Sequence, residues 1–304
     1  QTATMIECFL SEECDAFLPP ALVRVLLPPL IAVQANAADL DFISGSMPLI
    51  RLRLIDSLQM KPQKPRKASY EGARSHGLLK ERWLEKHVEE IPAVYAFLVD
   101  VVDAEGVIVV DQAIQKISDF KRIERPRTSR LAVVAVIRGV APEDLDNILY
   151  SFRSKAEIDA RCFGTLILSG ATAQRRAERT QTMLLELSST SYDEQAKRSR
   201  LVCETLSRAT QAELIIRHSF KIAFNIEQTR EISAACKQYA TTYAELWDLV
   251  YGGGSFPVAS WRHPHFRAFA ELVNYKICGL LLAANNYRDA HAQLRRHLSA
   301  CASL

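Results

Sequence analysis

The chain has 304 residues, 48% of them hydrophobic, which is enough apolar material for two cored domains rather than one. Its formal net charge of +3 is too mild to draw nucleic acid by bulk attraction, so any basic surface has to be local. The 7 cysteines (Cys8, Cys14, Cys162, Cys203, Cys236, Cys278 and Cys301) are odd in number and contain no Cys-x-x-Cys; several fall on apolar helical faces, so they read as the reduced thiols of a cytosolic protein without a disulfide framework.

In chain order, residues 1–47 form an apolar segment punctuated by Pro19-Pro20 and Pro28-Pro29. The stretch from Ala21 to Ala38 is interrupted by Arg24, the second proline pair, Gln34 and Asn36, and is not a membrane span. No basic start precedes it, as a signal segment would require, and a chain opening on Gln1 reads as a fragment of a longer protein. Leu22, Leu26, Leu30 and Val33 recur at helical spacing, which predicts one or two short helices between Ala21 and Ala37. Leu49 to Ile55 alternates apolar residues with Arg51 and Arg53, the two-residue period of a half-exposed edge strand. Lys61 to Lys67 is extended by two prolines and densely basic. Lys61, Lys64, Arg66 and Lys67 read first as a solvated connector and second as a surface for phosphates or an acidic partner. A helix is expected from Leu78 to Glu89, with Leu79, Trp83 and Val88 inward, halted by Pro92.

The most regular part follows. Val94–Val102 reads as a strand, Val107–Phe120 as an amphipathic helix, Leu131–Ile137 as a strand, Glu143–Ile158 as a helix with acids in its first turn, and Cys162–Leu168 as a strand. Short continuous apolar runs alternating with helical periods are the pattern of parallel strands covered on both faces, which predicts a three-layer α/β domain over 48–170. Beyond Gly170 all is helical, over 171–304. Ala173–Leu187 forms one helix, Ser188–Ser191 is expected to break it, and Ser191-x-x-Glu194 has the form of a capping box for the next. Val202, Leu206, Ala209, Ile216, Phe220 and Ala223 then keep to one stripe, and Ile232, Cys236, Tyr239, Tyr243, Leu246 and Val250 to another.

One helical unit is written twice. Phe220-Lys221-Ile222 is echoed by Tyr275-Lys276-Ile277, and 275 minus 220 is 55. The same offset carries Ile232, Ala235, Tyr239 and Tyr243 onto Tyr287, Ala290, Leu294 and Leu298. Self-similarity at a fixed period predicts stacked helical hairpins, a tetratricopeptide-like α-solenoid whose period is lengthened by a Gly252-Gly253-Gly254 loop, with the paired positions chiefly core.

Catalytic chemistry has little foothold. Gly72 and Gly77 have P-loop spacing, but Leu78-Leu79 stands where Lys-Ser/Thr must supply charge and a magnesium ligand, and no Gly-x-Gly-x-x-Gly follows a strand. Asp100 and Asp103 lie at a predicted strand's carboxyl end, where a phosphate-accepting or catalytic carboxylate could sit; capping a turn is the preferred reading. His263-Pro264-His265 lacks companion ligands for zinc, and neither Gly-x-Ser-x-Gly nor His-Glu-x-x-His occurs. No catalytic, metal or cofactor residue is assigned. Tyr239 and Tyr243 read as packing rather than a peptide groove. Arg175, Arg176 and Arg179 read as a solvated face, or else as contacts to anionic lipid or an acidic subunit.

Several segments together carry a resemblance. Lys64-Pro65-Arg66-Lys67-Ala68-Ser69-Tyr70; Gly77-Leu78-Leu79-Lys80-x-x-Trp83-x-x-Lys86-His87; Ile91-Pro92-Ala93; Arg217-His218-x-Phe220-Lys221-Ile222-Ala223-Phe224; and Asn274-Tyr275-Lys276-Ile277-Cys278 resemble, in that order, the N-terminal half of subunit eleven of the TRAPP (trafficking protein particle) complexes, which contains the foie gras domain. The resemblance spans about Leu49 to Cys301, and residues 1–47 depart from it most. It implies a non-catalytic scaffold in a tethering complex of endoplasmic reticulum to Golgi transport and autophagy, peripheral to those membranes. Its partners would be other TRAPP subunits, with a Rab GTPase reached only indirectly through the small core subunits and no nucleic acid. Trp83, Lys86, His87, Pro92, Arg217, His218, Phe220, Lys221, Phe224, Asn274, Tyr275 and Lys276 would serve it mainly as structure. The competing readings are a nucleotide-binding switch or enzyme using Asp100, and a membrane or nucleic-acid module using the Lys61–Lys67 charges.

Overall fold

The computed structural model describes residues 24–34, 45–54, 78–79, 83–103, 105–122, 129–138, 143–251 and 264–302. Two compact units emerge: a sheet unit of residues 28–68 and 87–191, and a helical unit of residues 1–27, 69–86 and 192–304. The Lys61–Lys67 run, the Gly252–Gly254 loop, His263 and the Gly72/Gly77 pair lie outside the described residues.

The sheet has five parallel strands: β1 (Leu30–Gln34), β2 (Arg51–Leu54), β3 (Val94–Val102), β4 (Arg130–Ile137) and β5 (Phe163–Ile167), in the order β2-β1-β3-β4-β5. β1 corrects the expectation of helix between Ala21 and Ala37. Pro28-Pro29 removes two amide donors immediately before it, and Leu30, Ile31, Ala32 and Val33 are all buried between two neighbouring strands, as a continuous apolar run suits. β2 is the edge strand its alternation predicted. Its arginines reach turn carbonyls, Arg51 donating to Pro28 at 2.7 Å and Val88 at 2.9 Å, and Arg53 to Glu89 at 3.0 Å. The segment after Leu78 is less regular than one helix: Trp83–Glu85 is a single α-turn running into a π-turn over Lys86–Glu90.

Helices α1 (Val110–Arg122) and α2 (Leu145–Lys155) cross between β3, β4 and β5. They bury Tyr95, Phe97, Val99, Val101, Val133 and Ala135 against Ala113, Ile117, Leu149 and Phe152. Helix α3 (Ala173–Thr205) closes the far edge. Its Thr180 hydroxyl accepts from the Thr165 amide at 3.0 Å and donates to the Thr165 carbonyl at 2.9 Å, so one side chain satisfies both backbone groups of Thr165 on the open side of β5. α3 also corrects the expected break at Ser188–Ser191. Ser188 and Thr190 donate back to the carbonyls of Leu184 (2.7 Å) and Glu186 (2.9 Å), which keeps their hydroxyls within the helix and away from a cap. The chain breaks instead at Ser207, which is extended (φ −84°, ψ 124°) before α4.

The helical unit contains α4 (Arg208–Gln228), α5 (Ile232–Tyr251), α6 (Pro264–Ala283) and α7 (Tyr287–Ala302). The repeat is real at the level of the backbone. The first helices end at Gln228 and Ala283, the second begin at Ile232 and Tyr287, and the two turns pass through left-handed residues, Arg230 (φ 65°) and Asn285 (φ 59°). Each pair differs by 55 (283 minus 228, 287 minus 232, 285 minus 230). Burial does not repeat so closely: Phe220, Tyr239 and Tyr243 are buried, whereas Tyr275 and Leu294 are half-buried and Leu298 is 53% exposed. The expectation that the paired positions are chiefly core therefore suits the first hairpin and is corrected in the second at Tyr275, Tyr287, Leu294 and Leu298. α5 packs between α4 and α6, while α7 packs mainly on α6 and reaches α5 through His297, whose Nδ1 lies 3.0 Å from the Tyr243 hydroxyl.

Candidate functional site

A sheet ordered β2-β1-β3-β4-β5 reverses direction between β1 and β3, and ligands of such sheets sit outside the carboxyl ends there. In this chain those carboxyl ends are already engaged. Asp100 accepts from Arg138 Nε at 2.7 Å, joining β3 to the end of β4. Asp103 accepts from the amides of Glu105 (3.1 Å) and Val107 (2.8 Å), closing a turn that passes through Gly106 at φ 83°. A cavity of about 610 Å³ opens beside this turn, lined by Val107, Ile108, Asp111, Asp144, Ile148 and Lys155 among others. Asp111 stands in the first turn of α1 and Asp144 at the start of α2. Carboxylates therefore occupy the two helix ends that would otherwise attract a phosphate. Among the described residues no group of three or more His, Cys, Asp or Glu could hold a metal ion, and no helix is long and apolar enough to cross a membrane.

The described cysteines (Cys162, Cys203, Cys236, Cys278 and Cys301) are free thiols. Burial pushes Cys203 and Cys278 up to about 11, far from the thiolate that reactivity needs.

Arg175, Arg176 and Arg179 on α3 are not equivalent. Arg176 pairs with Asp146 at 2.8 Å, while Arg175 and Arg179 lie exposed one helical turn apart. Most of the residues that carry the resemblance lie in the helical unit. Trp83 stands edge-on to Phe220 (6.0 Å) and Phe224 (5.2 Å), with Lys221 Nζ 5.7 Å from its ring centre. Arg217 donates to the Leu78 carbonyl at 2.8 Å. His218 is buried, and burial, aided by Lys221 and Arg217, lowers its pKa to about 4, so it is neutral. Asn274 accepts from Gln293 Nε2 at 3.1 Å, tying α6 to α7. Tyr275 is half-buried, and burial raises its pKa. In the sheet unit, Lys86 aside, Pro92 is buried and its carbonyl accepts from Ser129 at 2.6 Å; His87 is half-buried in the π-turn, while Lys86, just before it, is exposed.

A buried polar cluster in the helical unit was not legible as a cluster in the sequence. Lys276 Nζ and Glu227 Oε1 form an ion pair at 3.0 Å with side chains 1% and 0% exposed. Glu227 Oε2 accepts from the Tyr239 hydroxyl at 2.7 Å, and Oε1 accepts also from the Leu26 amide at 3.1 Å. Lys276 donates in addition to the Arg24 carbonyl at 2.8 Å and lies 5.9 Å from the Phe224 ring centre. Burial and the Glu227 charge hold the Tyr239 pKa well above that of an ordinary phenol, so it donates as a neutral hydroxyl. A partial signal did exist: Lys276 is the one charge between Glu271 and Arg288, inside a largely apolar helical run.

Compared with known proteins, the chain is 25% identical over 249 residues to "Trafficking protein particle complex subunit 11" of Bos taurus and to that of Homo sapiens, and 25% identical over 242 residues to that of Gallus gallus. The matches cover 78% of this chain and 21% of each relative, so the chain spans about a fifth of the length of the curated relatives it matches. No protein-family profile matches the chain, and the foie gras domain rests on the motif resemblance alone.

Proposed function

From the relation of this chain to subunit 11 of the trafficking protein particle complex, we propose that it is a non-catalytic scaffold subunit of a vesicle-tethering assembly of that kind. The observation that carries the reading is the extent of the similarity: 249 aligned residues exceed either compact unit, so both take part. The acid-rimmed carboxyl edge of the sheet, with Asp100 and Asp103 engaged in pairing and turn closure, supports a sheet that serves as structure. The helical hairpins, with long outer faces, would hold other subunits. Arg175 and Arg179 on α3, with the Lys61, Lys64, Arg66 and Lys67 run, are the basic surfaces offered to acidic subunits. Endoplasmic reticulum to Golgi transport and autophagy would be the setting, on the cytoplasmic side and peripheral to membrane. Rab exchange would belong to other subunits, with no cofactor here and no nucleic-acid partner.

Affinity purification of the tagged full-length protein from cells, followed by crosslinking mass spectrometry, tests the proposal. Stoichiometric recovery of several small trafficking-complex subunits, with crosslinks to α4–α7, is expected. Elution as a lone monomer at native concentration overturns it.

A further inference from the structure

The buried ion pair does more than join two helices. Of the hydrogen bonds that complete Lys276 and Glu227, two come from main-chain atoms of a single short segment: the Arg24 carbonyl and the Leu26 amide. These are the two backbone groups that flank Val25, and one charged donor and one charged acceptor meet them together, as the edge of a neighbouring strand would. The Val25 side chain lies over Gly279, one helical turn beyond Lys276 on α6. A Cβ at Gly279 would stand 3.0 Å from Val25 Cγ1 and 3.3 Å from Cγ2, so this seat exists because α6 carries no side chain there. Leu26 holds φ at 56°, a conformation a non-glycine residue keeps only when its surroundings impose it. Pro28-Pro29 follow at once and isolate the segment from β1.

We propose that Glu227, Lys276 and Gly279 form a peptide-binding slot that reads main chain, and that Arg24–Leu27 is its resident ligand, exchangeable in trans for an extended apolar peptide of the same pattern. The slot's demands follow from its chemistry. It needs a carbonyl to accept from Lys276, a β-branched or small side chain over Gly279, and a free amide at the next residue for Glu227, which excludes proline there. Side-chain identity at Arg24 matters little, since its carbonyl is what Lys276 engages and the residue is exposed. The inference goes beyond the assembly reading and stands without it: it specifies a site and a ligand class whatever complex the protein joins.

The test uses the full chain carrying Leu26→Pro, which removes the amide that reaches Glu227 and cannot adopt a positive φ. A fluorescein-labelled peptide of Val23–Pro29 is titrated against it by anisotropy. Saturable one-to-one binding is expected, at least tenfold tighter than to the wild-type chain, whose slot is filled. A peptide that itself carries Leu26→Pro is expected to bind at least tenfold more weakly, and adding Gly279→Leu to the chain to abolish binding. Equal binding by all of these chains, or binding indifferent to Gly279→Leu, overturns the proposal. If the Leu26→Pro chain does not fold, native-state hydrogen exchange on the wild type decides. Exchange of the Leu26 amide through a local opening, with α4 and α6 amides still protected, supports an exchangeable ligand; exchange only on global unfolding refutes it.

Discussion

Replacing Lys276 by methionine keeps length and apolar volume while deleting the charge, and it isolates the worth of the buried pair. Glu227 would retain the Tyr239 hydroxyl and the Leu26 amide but lose its charged partner Lys276, in a place where its side chain is 0% exposed. Breaking one half of a buried pair costs about 3 to 5 kcal/mol, because the remaining charge stays desolvated. Methionine recovers part of that through contact with Phe224, and about 4 kcal/mol is the expected loss. The double variant Glu227→Gln/Lys276→Met removes both charges and leaves an amide that can still serve Tyr239 and Leu26. Its expected deficit is only about 1 kcal/mol, about 3 kcal/mol less than that of the Lys276→Met single variant. Urea denaturation followed by tryptophan emission reads this unit selectively, since Trp83, Trp247 and Trp261 all belong to it. With a slope of about 2.5 kcal/mol per molar, the single variant should move its midpoint down by about 1.5 M. A shift below about 0.4 M, or a double variant as unstable as the sum of the singles, would show that the pair is not closed to water as described.

Other consequences are smaller or more local. Gly164 leaves no room for a Cβ, which would fall 2.7 Å from Thr180 Cγ2 and 2.8 Å from Met183 Cε; Thr180 is fixed by its two bonds to Thr165, so Gly164→Ala should cost about 2 kcal/mol and adding Thr180→Ser should restore much of it in thermal unfolding. His218 has a folded pKa of about 4 against an ordinary value of 6.5, so the unfolded chain takes up its proton first and stability should fall as pH drops from 6.5 to 4. The loss assignable to this residue is at most about 3 kcal/mol, and a slope unchanged in His218→Gln would assign it elsewhere. Asp100→Ala should cost no more than about 1 kcal/mol, since its pairing with Arg138 is partly exposed, and should leave nucleotide binding at micromolar concentration absent, as in the wild type. Binding that is present and lost on this substitution would reinstate the switch reading. Reversing Arg175 and Arg179 to glutamate should weaken recovery of acidic partner subunits without changing thermal stability; intact recovery would show that this face is only solvated.

What the sequence disclosed depended on how local its cause was. Helix ends in the repeat recur at 55 residues because they are set by turn chemistry within a few positions, and a left-handed residue closes each turn, Arg230 in one and Asn285 in the other. Strands β3, β4 and β5 were visible for a similar reason, as continuous apolar runs bounded by helices of helical period. β1 was hidden because its neighbour β3 begins 60 or more residues later (94 minus 30 is 64), and nothing near Leu30 records that pairing. Leu30 and Val33 shared a helical spacing with Leu22 and Leu26, when their own reason for being apolar is burial within the sheet. Burial in the repeat escaped the sequence in the same way. Lys221 and Lys276 occupy equivalent positions, yet the first lies half-buried against Trp83 and the second is sealed beside Glu227. Identity at a repeat position fixes what the backbone does there, whereas exposure is decided by what packs across from it. Segment 24–27 covers α6 at Lys276, whereas Lys221 on α4 lies half-buried against the Trp83 ring; the one lysine is sealed and paired and the other is not sealed, and the difference is a property of the neighbours that no inspection of the two matched helices could supply.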